Sequence, residues 1–235
     1  MTERTPTEPL SPLDADSPAD IYRRFLADLF GVMAYGELSA FERMSSDARF
    51  SPTLHDRTVL GGLAVREYGH FERVSAHLQE LGLDPEEAMR PFQPSVDAFH
   101  DRTRPADWFE SVMKFYVTDA ISDDFYQAVA SRLDPETASL VLSLQEPEPT
   151  GGVLEARLQQ ALADDPRLAS RLALWGRRLV GEALTQAQRV LLERAVLGGL
   201  LQGTVQGIYE DEVKALFAAL TRNHSRRMNR LGLTA

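Results

Sequence analysis

After Pro18, apolar residues recur at every third or fourth position through almost the whole chain, and no run alternates apolar and polar residues between turn dipeptides. That period is the period of amphipathic helices, so the sequence predicts an all-α fold. A first helix starts at Ser17-Pro18 or Asp20 and carries Leu26, Phe30, Met33, Ala40, Phe41 and Met44 on one stripe. A second runs from about Thr53 with Leu60, Leu63, Val74, Leu78 and Leu81 and stops at Gly82. The stretch from Asp84 to Pro105 contains Pro85, Pro91, Pro94 and Pro105, which predicts a long crossover with a short helix at about Pro85–Met89. Such a crossover lets the helices it joins lie parallel. A third helix begins at about Ala106, and Leu133-Asp134-Pro135-Glu136 reads as a stop followed by a new N-cap. A further amphipathic piece leads to Asp165-Pro166, a long helix follows with Leu168, Leu172, Trp175, Leu179 and Val190, and a last one spans about Thr204 to Arg230. The expected division is a disordered polar arm over residues 1–17, a helical bundle over 18–203, and a C-terminal helix with a basic tail over 204–235.

Composition narrows what such a bundle does. With no cysteine there are no disulfides, thiolate metal sites or thiol nucleophiles, so a metal is held by carboxylate, imidazole or carbonyl. The formal charge of -10 sets the overall field against phosphate backbones and anionic membranes. No segment reaches the roughly 18 uncharged apolar residues of a membrane span, and the opening residues lack the form of a signal or transit peptide. The expectation is a soluble, cytoplasmic protein with no membrane partner. No P-loop, GxGxxG or Ser–His–Asp pattern is present.

The anomaly lies on the apolar stripes. Glu37 interrupts the first, Glu67 and His70 the second, Asp119 and Asp123 the third, and Glu182 with Gln186 the long helix after Pro166. An ionised carboxylate on a core face costs several kcal/mol unless it is paired or bound to a metal. Glu67 and His70 stand at i and i+3, so both leave the same face one turn apart. A glutamate on one helix and an ExxH on the next is the ligand pattern of ferritin-like di-iron and di-manganese bundles.

The stretches VMAYGELSAFERM, REYGHFERVSAHLQELGLDPEEAM and LWGRRLVGEALTQAQRV resemble a ferritin-like family of actinobacterial proteins related to tRNA 2-methylthio-isopentenyladenosine hydroxylases, over roughly Asp20 to Leu200. The resemblance implies a ferritin-like four-helix core with a long crossover and additional C-terminal helices. It also implies a pair of bridged irons and hydroxylation of a modified tRNA adenosine. Carried over, Glu37 matches the first-helix glutamate, Glu67 a bridging glutamate, His70 the imidazole of one half-site and Asp119 the third-helix carboxylate, with Asp123 one turn on as an alternative. The second ExxH has no counterpart: no histidine lies between His100 and His224, and Glu146 and Glu148 sit among prolines and glycines. Glu182 is the replacement carboxylate on offer, with Gln186 a neutral neighbour.

Such a set of carboxylates with one imidazole suits iron or manganese. Two function classes follow: hydroxylase-like oxidation at a di-iron or altered metal centre, and a non-catalytic binding or assembly module whose site is degenerate and holds no metal. Iron storage is a third reading and fits the long C-terminal extension least. Tyr35 and Tyr68 adjoin Glu37 and Glu67 but should point elsewhere. Arg178, at i−4, is a partner for Glu182. Arg222, Arg226, Arg227, Arg230 and His224 form a basic tail that either contacts RNA or completes a helix end, and Gly198, Gly199, Gly203 and Gly207 suggest a bend or a homodimer interface.

Overall fold

The capping signals place the helices. In the computed structural model, which describes residues 17–131, 133–144, 150–193 and 209–235, Ser17 and Asp20 close a capping box at the start of α1 (Pro18–Ala48). Thr53 caps α2 (Leu54–Glu80) by accepting from the Asp56 amide. After α2, Gly82 takes a φ of 68° and the Leu83 amide donates to the Leu78 carbonyl, a glycine stop of the Schellman type. The crossover contains α3 (Pro85–Met89), a 3-10 turn (Arg90–Phe92) and α4 (Gln93–Arg102). The short helix is where the prolines predicted it, whereas α4 was not foreseen. Pro91 and Pro94 tolerate it because Pro94 sits in its first turn, where an amide donor is not needed. Then come α5 (Trp108–Ala130), α6 (Pro135–Leu144), α7 (Thr150–Asp164), α8 (Leu168–Glu193) and α9 (Tyr209–Arg230). Asp134 caps α6 through the Glu136 and Thr137 amides.

Every element among the described residues is a helix, with no strand, and together they form a ferritin-like bundle with extra C-terminal helices. The arm over residues 1–16, Glu146 and Glu148, and the glycines Gly198–Gly207 lie outside the described residues. The α1 and α2 helices run antiparallel: Arg23 near the start of α1 donates to the Leu81 and Gly82 carbonyls, and Arg57 donates to the Arg49 carbonyl at the other end. The α5 and α8 helices, joined through α6 and α7, run parallel. The Trp175 indole donates to the Glu110 carbonyl at 2.9 Å, and Met113 lies against Gly176.

Two apolar cores form along the bundle. One gathers Leu60, Leu63, Met113, Leu172, Trp175 and Leu179; the other gathers Phe25, Phe30, Met33, Val74, Leu78 and Val129. Each fully buried large side chain contributes roughly 1.5–3 kcal/mol. Along α1 and α2, the acids of the sequence anomaly fall between these two cores.

At Gly31, α1 comes so close to α3 that an added Cβ would stand 2.1 Å from the Ala88 carbonyl oxygen. Backbone atoms cannot yield as a flexible side chain can. Gly31→Ala is therefore expected to push α3 off α1 and lose about 2 kcal/mol of stability, read as a fall in the urea midpoint. An unchanged midpoint would show that the crossover packs more loosely than described.

Candidate metal half-site and adjoining cavity

Three predicted ligands meet. Glu37 from α1 and Glu67 and His70 from α2 each offer a ligand atom within 4.8 Å of the other two, and among the described residues this is the one such cluster of potential metal ligands. The His70 Nδ1 lies 3.7 Å from Glu37 Oε2. The Glu37 and Glu67 carboxyls adjoin each other, so a proton held by one can be shared with the other. Burial raises Glu37 to about 7, with Asp119 adding to the effect. Burial likewise raises Glu67, whose side chain is only 5% exposed, to about 7, and the Glu37 charge reinforces it. The imidazole of His70 is lowered by burial, which favours the neutral, metal-ligating form.

A cation already stands beside them. The Arg66 guanidinium donates to Glu67 Oε1 through Nη2 at 2.7 Å and Nε at 3.2 Å, and its Nη2 is 3.8 Å from Asp119 Oδ2. Despite its burial, the Glu67 carboxylate holds Arg66 above its ordinary value. Asp119, from α5, is thus across from Arg66 rather than in the three-ligand cluster. Its side chain is 37% accessible, but it lines a cavity, and burial with the Glu67 charge raises it to about 6. Asp123 rises to about 7, through burial and then the Asp119 charge.

Glu182 is elsewhere. Its Oε2 sits 3.6 Å from Arg102 Nη1 of α4, and it does not line the cavity. The face of α8 turned to the cavity carries Ala183, Gln186, Ala187 and Val190, spaced as one helical stripe, which leaves Glu182 on its flank. Arg178 does not pair with Glu182; it donates to the Arg102 carbonyl at 2.6 Å and lies over the Trp175 ring. An arginine preceding its acid by four residues is the poorer orientation on a helix. Tyr35 turns to Asp97, donating at 2.9 Å, and Tyr68 packs between Phe41 and Phe71, so both leave the cluster as expected.

The cavity, about 260 Å³, runs between α1, α4, α5 and α8 beside the cluster. Glu37, Glu67 and Asp119 form part of its wall, and the rest is mainly apolar, including Met33, Phe99, Phe115 and Phe125. Tyr126 completes it near Glu37, its phenol raised by burial and by the charges of Glu37 and Asp123.

Two groups here escaped the sequence reading: Arg66 and Lys114. The buried Lys114 ammonium donates to the Thr103 carbonyl at 3.0 Å and lies over Phe99; burial lowers it to about 8. Its only signal was a lysine inside the apolar run VMKFYV.

Residues 20–204 match the family described as a ferritin-like domain of actinomycetes. The chain belongs to that ferritin-like family. Its fold is similar to a solved structure described as a protein with aldehyde deformylating oxidase activity from Synechococcus, with a TM-score of 0.65 over 92% of this chain and 93% of that one. At 20% identity the likeness is one of fold. A search of curated proteins finds no match.

For this ferritin-like protein the donor set decides what a metal would find. Three ligands on one ion at about 2.1 Å stand roughly 3–3.6 Å apart, so the three donors, within 4.8 Å of one another, need to close by about 1–2 Å at most, within the reach of side-chain rotation. Two carboxylates and a neutral imidazole suit one iron(II) or manganese ion. A second ion lacks a histidine from α8, which offers the Gln186 amide, and meets the Arg66 charge at Glu67. The residues fit one ion and not two. No described helix is long and apolar enough to cross a membrane.

Proposed function

We propose that this chain is a ferritin-like binding module whose metal centre is a single half-site, Glu37–Glu67–His70, and whose working part is the apolar cavity beside it. The observation that carries this reading is Arg66. Its guanidinium supplies a fixed positive charge between Glu67 and Asp119, the two carboxylates a second ion would need. Gln186 on α8 supports it, being neutral where a second half-site would need an acid or imidazole. A single iron or manganese ion, held by the three donors, would supply Lewis acidity or one-electron chemistry when bound. Around it the apolar walls exclude water, and the Glu37–Glu67 pair, which holds a proton without metal, would release it when the ion binds.

Elemental analysis of protein made in iron-supplemented medium tests this, with Glu67→Ala and His70→Ala variants at equal folded content. At most one metal per chain is expected, lost in both variants. Two irons per chain would overturn the reading.

A second reading is hydroxylase-like oxidation at a di-iron centre acting on modified tRNA. The position of Asp119, which could turn from Arg66 toward Glu67, favours it. Its RNA part has less support, because two arginines of the basic tail are engaged within the bundle. Arg227 grips Asp124 at 2.6 and 2.8 Å, and Arg230 pairs with Glu155 at 3.0 Å.

A further inference from the structure

The polar groups of the cavity are of one electrostatic kind. Three carboxyl groups, of Glu37, Glu67 and Asp119, face it, and among the described residues no lysine or arginine lines it. On the α8 wall, Gln186 is only 6% exposed, and its Oε1 has no hydrogen-bond partner among the described residues. A buried amide oxygen left unpaired is costly, so a donor that reaches it is favoured. The Thr118 hydroxyl is committed to the Lys114 carbonyl of its own helix. His100 and the hydroxyls of Ser95, Ser122 and Tyr126 also line the wall and can serve either way.

These acceptors stand at one level of the bundle. The α5 and α8 helices are parallel, with Trp175 level with Glu110. Carried along both helices at the same rise, this register sets Gln186 level with Ile121, about 3 Å beyond Asp119. A ligand head held at Asp119 therefore lies within reach of Gln186.

Size sets the rest of the ligand. An apolar cavity of about 150 Å³ holds one benzene ring, so one of about 260 Å³ holds roughly ten heavy atoms. The walls meeting it span Val32 to Met44 of α1 and Phe115 to Tyr126 of α5, an elongated space suited to a chain.

We infer that the cavity binds an organic ammonium ion carried on an apolar chain, its N–H groups donating to Asp119 and to Gln186 Oε1. An apolar carboxylate of the same length would add a negative charge to three acids with no cation on the wall. A neutral alcohol would leave three acids with the single counter-charge of Arg66, which stands behind Glu67 and Asp119 and not on the cavity wall. The inference rests on the binding-module reading and names its ligand class.

The test is isothermal titration of the full chain, dialysed against chelator, with n-octylammonium, n-octanol and octanoate. Octylammonium is expected to bind at least tenfold more tightly than octanol, and octanoate not measurably. Gln186→Leu should weaken octylammonium about tenfold at a Tm no lower than that of the wild type, and Ala187→Phe, which fills the cavity from the same wall, should abolish binding. If either variant unfolds, Asp119→Asn with the same ligands replaces it, with a tenfold loss expected. Equal binding of octanol or octanoate, or full octylammonium affinity in the variants, overturns the inference. Two irons per chain would sink the binding-module reading itself; a metal-poor chain that ignores octylammonium sinks only this ligand assignment.

Discussion

Replacing Arg66 by leucine is expected to raise the affinity for manganese or iron(II) at least tenfold and to lower the Tm of the metal-free protein by about 6 °C. The two effects have one cause. Arg66 makes two hydrogen bonds to Glu67 and stands 3.8 Å from Asp119, so it is the counter-charge for both carboxylates. Removing one partner of a largely buried pair costs about 3–5 kcal/mol. Here Glu67 can take up a proton instead, which reduces the loss to about 2 kcal/mol, or roughly 6 °C for a chain of this size. A divalent ion no longer has to compete with a guanidinium held in place. Titration of manganese into wild type and variant, with melting curves in chelator, checks both. An unchanged metal affinity would show that Arg66 is only a structural partner.

The second large effect is a stability that falls as pH rises. Burial raises Glu37 and Glu67 to about 7 and Asp119 to about 6, against ordinary values near 4. Between about pH 4 and 7 these carboxyls therefore hold more protons in the folded chain than in the unfolded one, whereas His100 and His224, lowered by burial to about 3 and about 4, act in the opposite sense below about pH 6.5. With fewer protons bound in the unfolded state, the slope of unfolding free energy against pH is negative. The contribution is fully present below about pH 4 and is lost as pH rises through 7. One carboxyl shifted from 4.5 to about 7 corresponds to about 3 kcal/mol, and the coupled Glu37–Glu67 pair loses less than the sum of two. Asp134, lowered to about 2 by its hydrogen bonds to Thr137 and Tyr22, has the opposite sign, and its stabilisation is lost only below about pH 4. Urea unfolding in chelator from about pH 6.5 to 8, above the range in which the buried histidines offset the acids, should show declining stability, and Glu67→Gln should flatten the decline and be the more stable protein at pH 8. A wild type whose stability is level or rising over that range would contradict the buried-acid account.

Much of this was legible in the sequence for local reasons. Ser17, Thr53 and Asp134 are caps whose side chains bond within three residues, so no tertiary information is needed to read them. Glu67 and His70 share a face by helical spacing alone, and Glu37 joins them because the antiparallel pairing of α1 and α2 puts their interrupted stripes together. Arg66 was not legible. It is adjacent to Glu67 and should leave the helix about 100° away, yet its long side chain bends back to the same carboxylate. Glu182 and Gln186, one turn apart, looked equivalent; only the rotation of α8 about its own axis, set by packing against α5, turns Gln186 to the cavity and Glu182 to Arg102. Asp119 was found, but its engagement with Arg66 depends on two helices far apart in sequence.

All three members of the half-site lie on α1 and α2, joined by a turn of a few residues, whereas the α5 and α8 walls of the cavity are separated by two further helices. Closing a short loop costs little chain entropy, and contacts between sequence neighbours form sooner than distant ones. The ligand cluster is thus expected to assemble with a local hairpin, before the more distant helices close the cavity. A metal ion can meet its donors on a chain that has yet to enclose them.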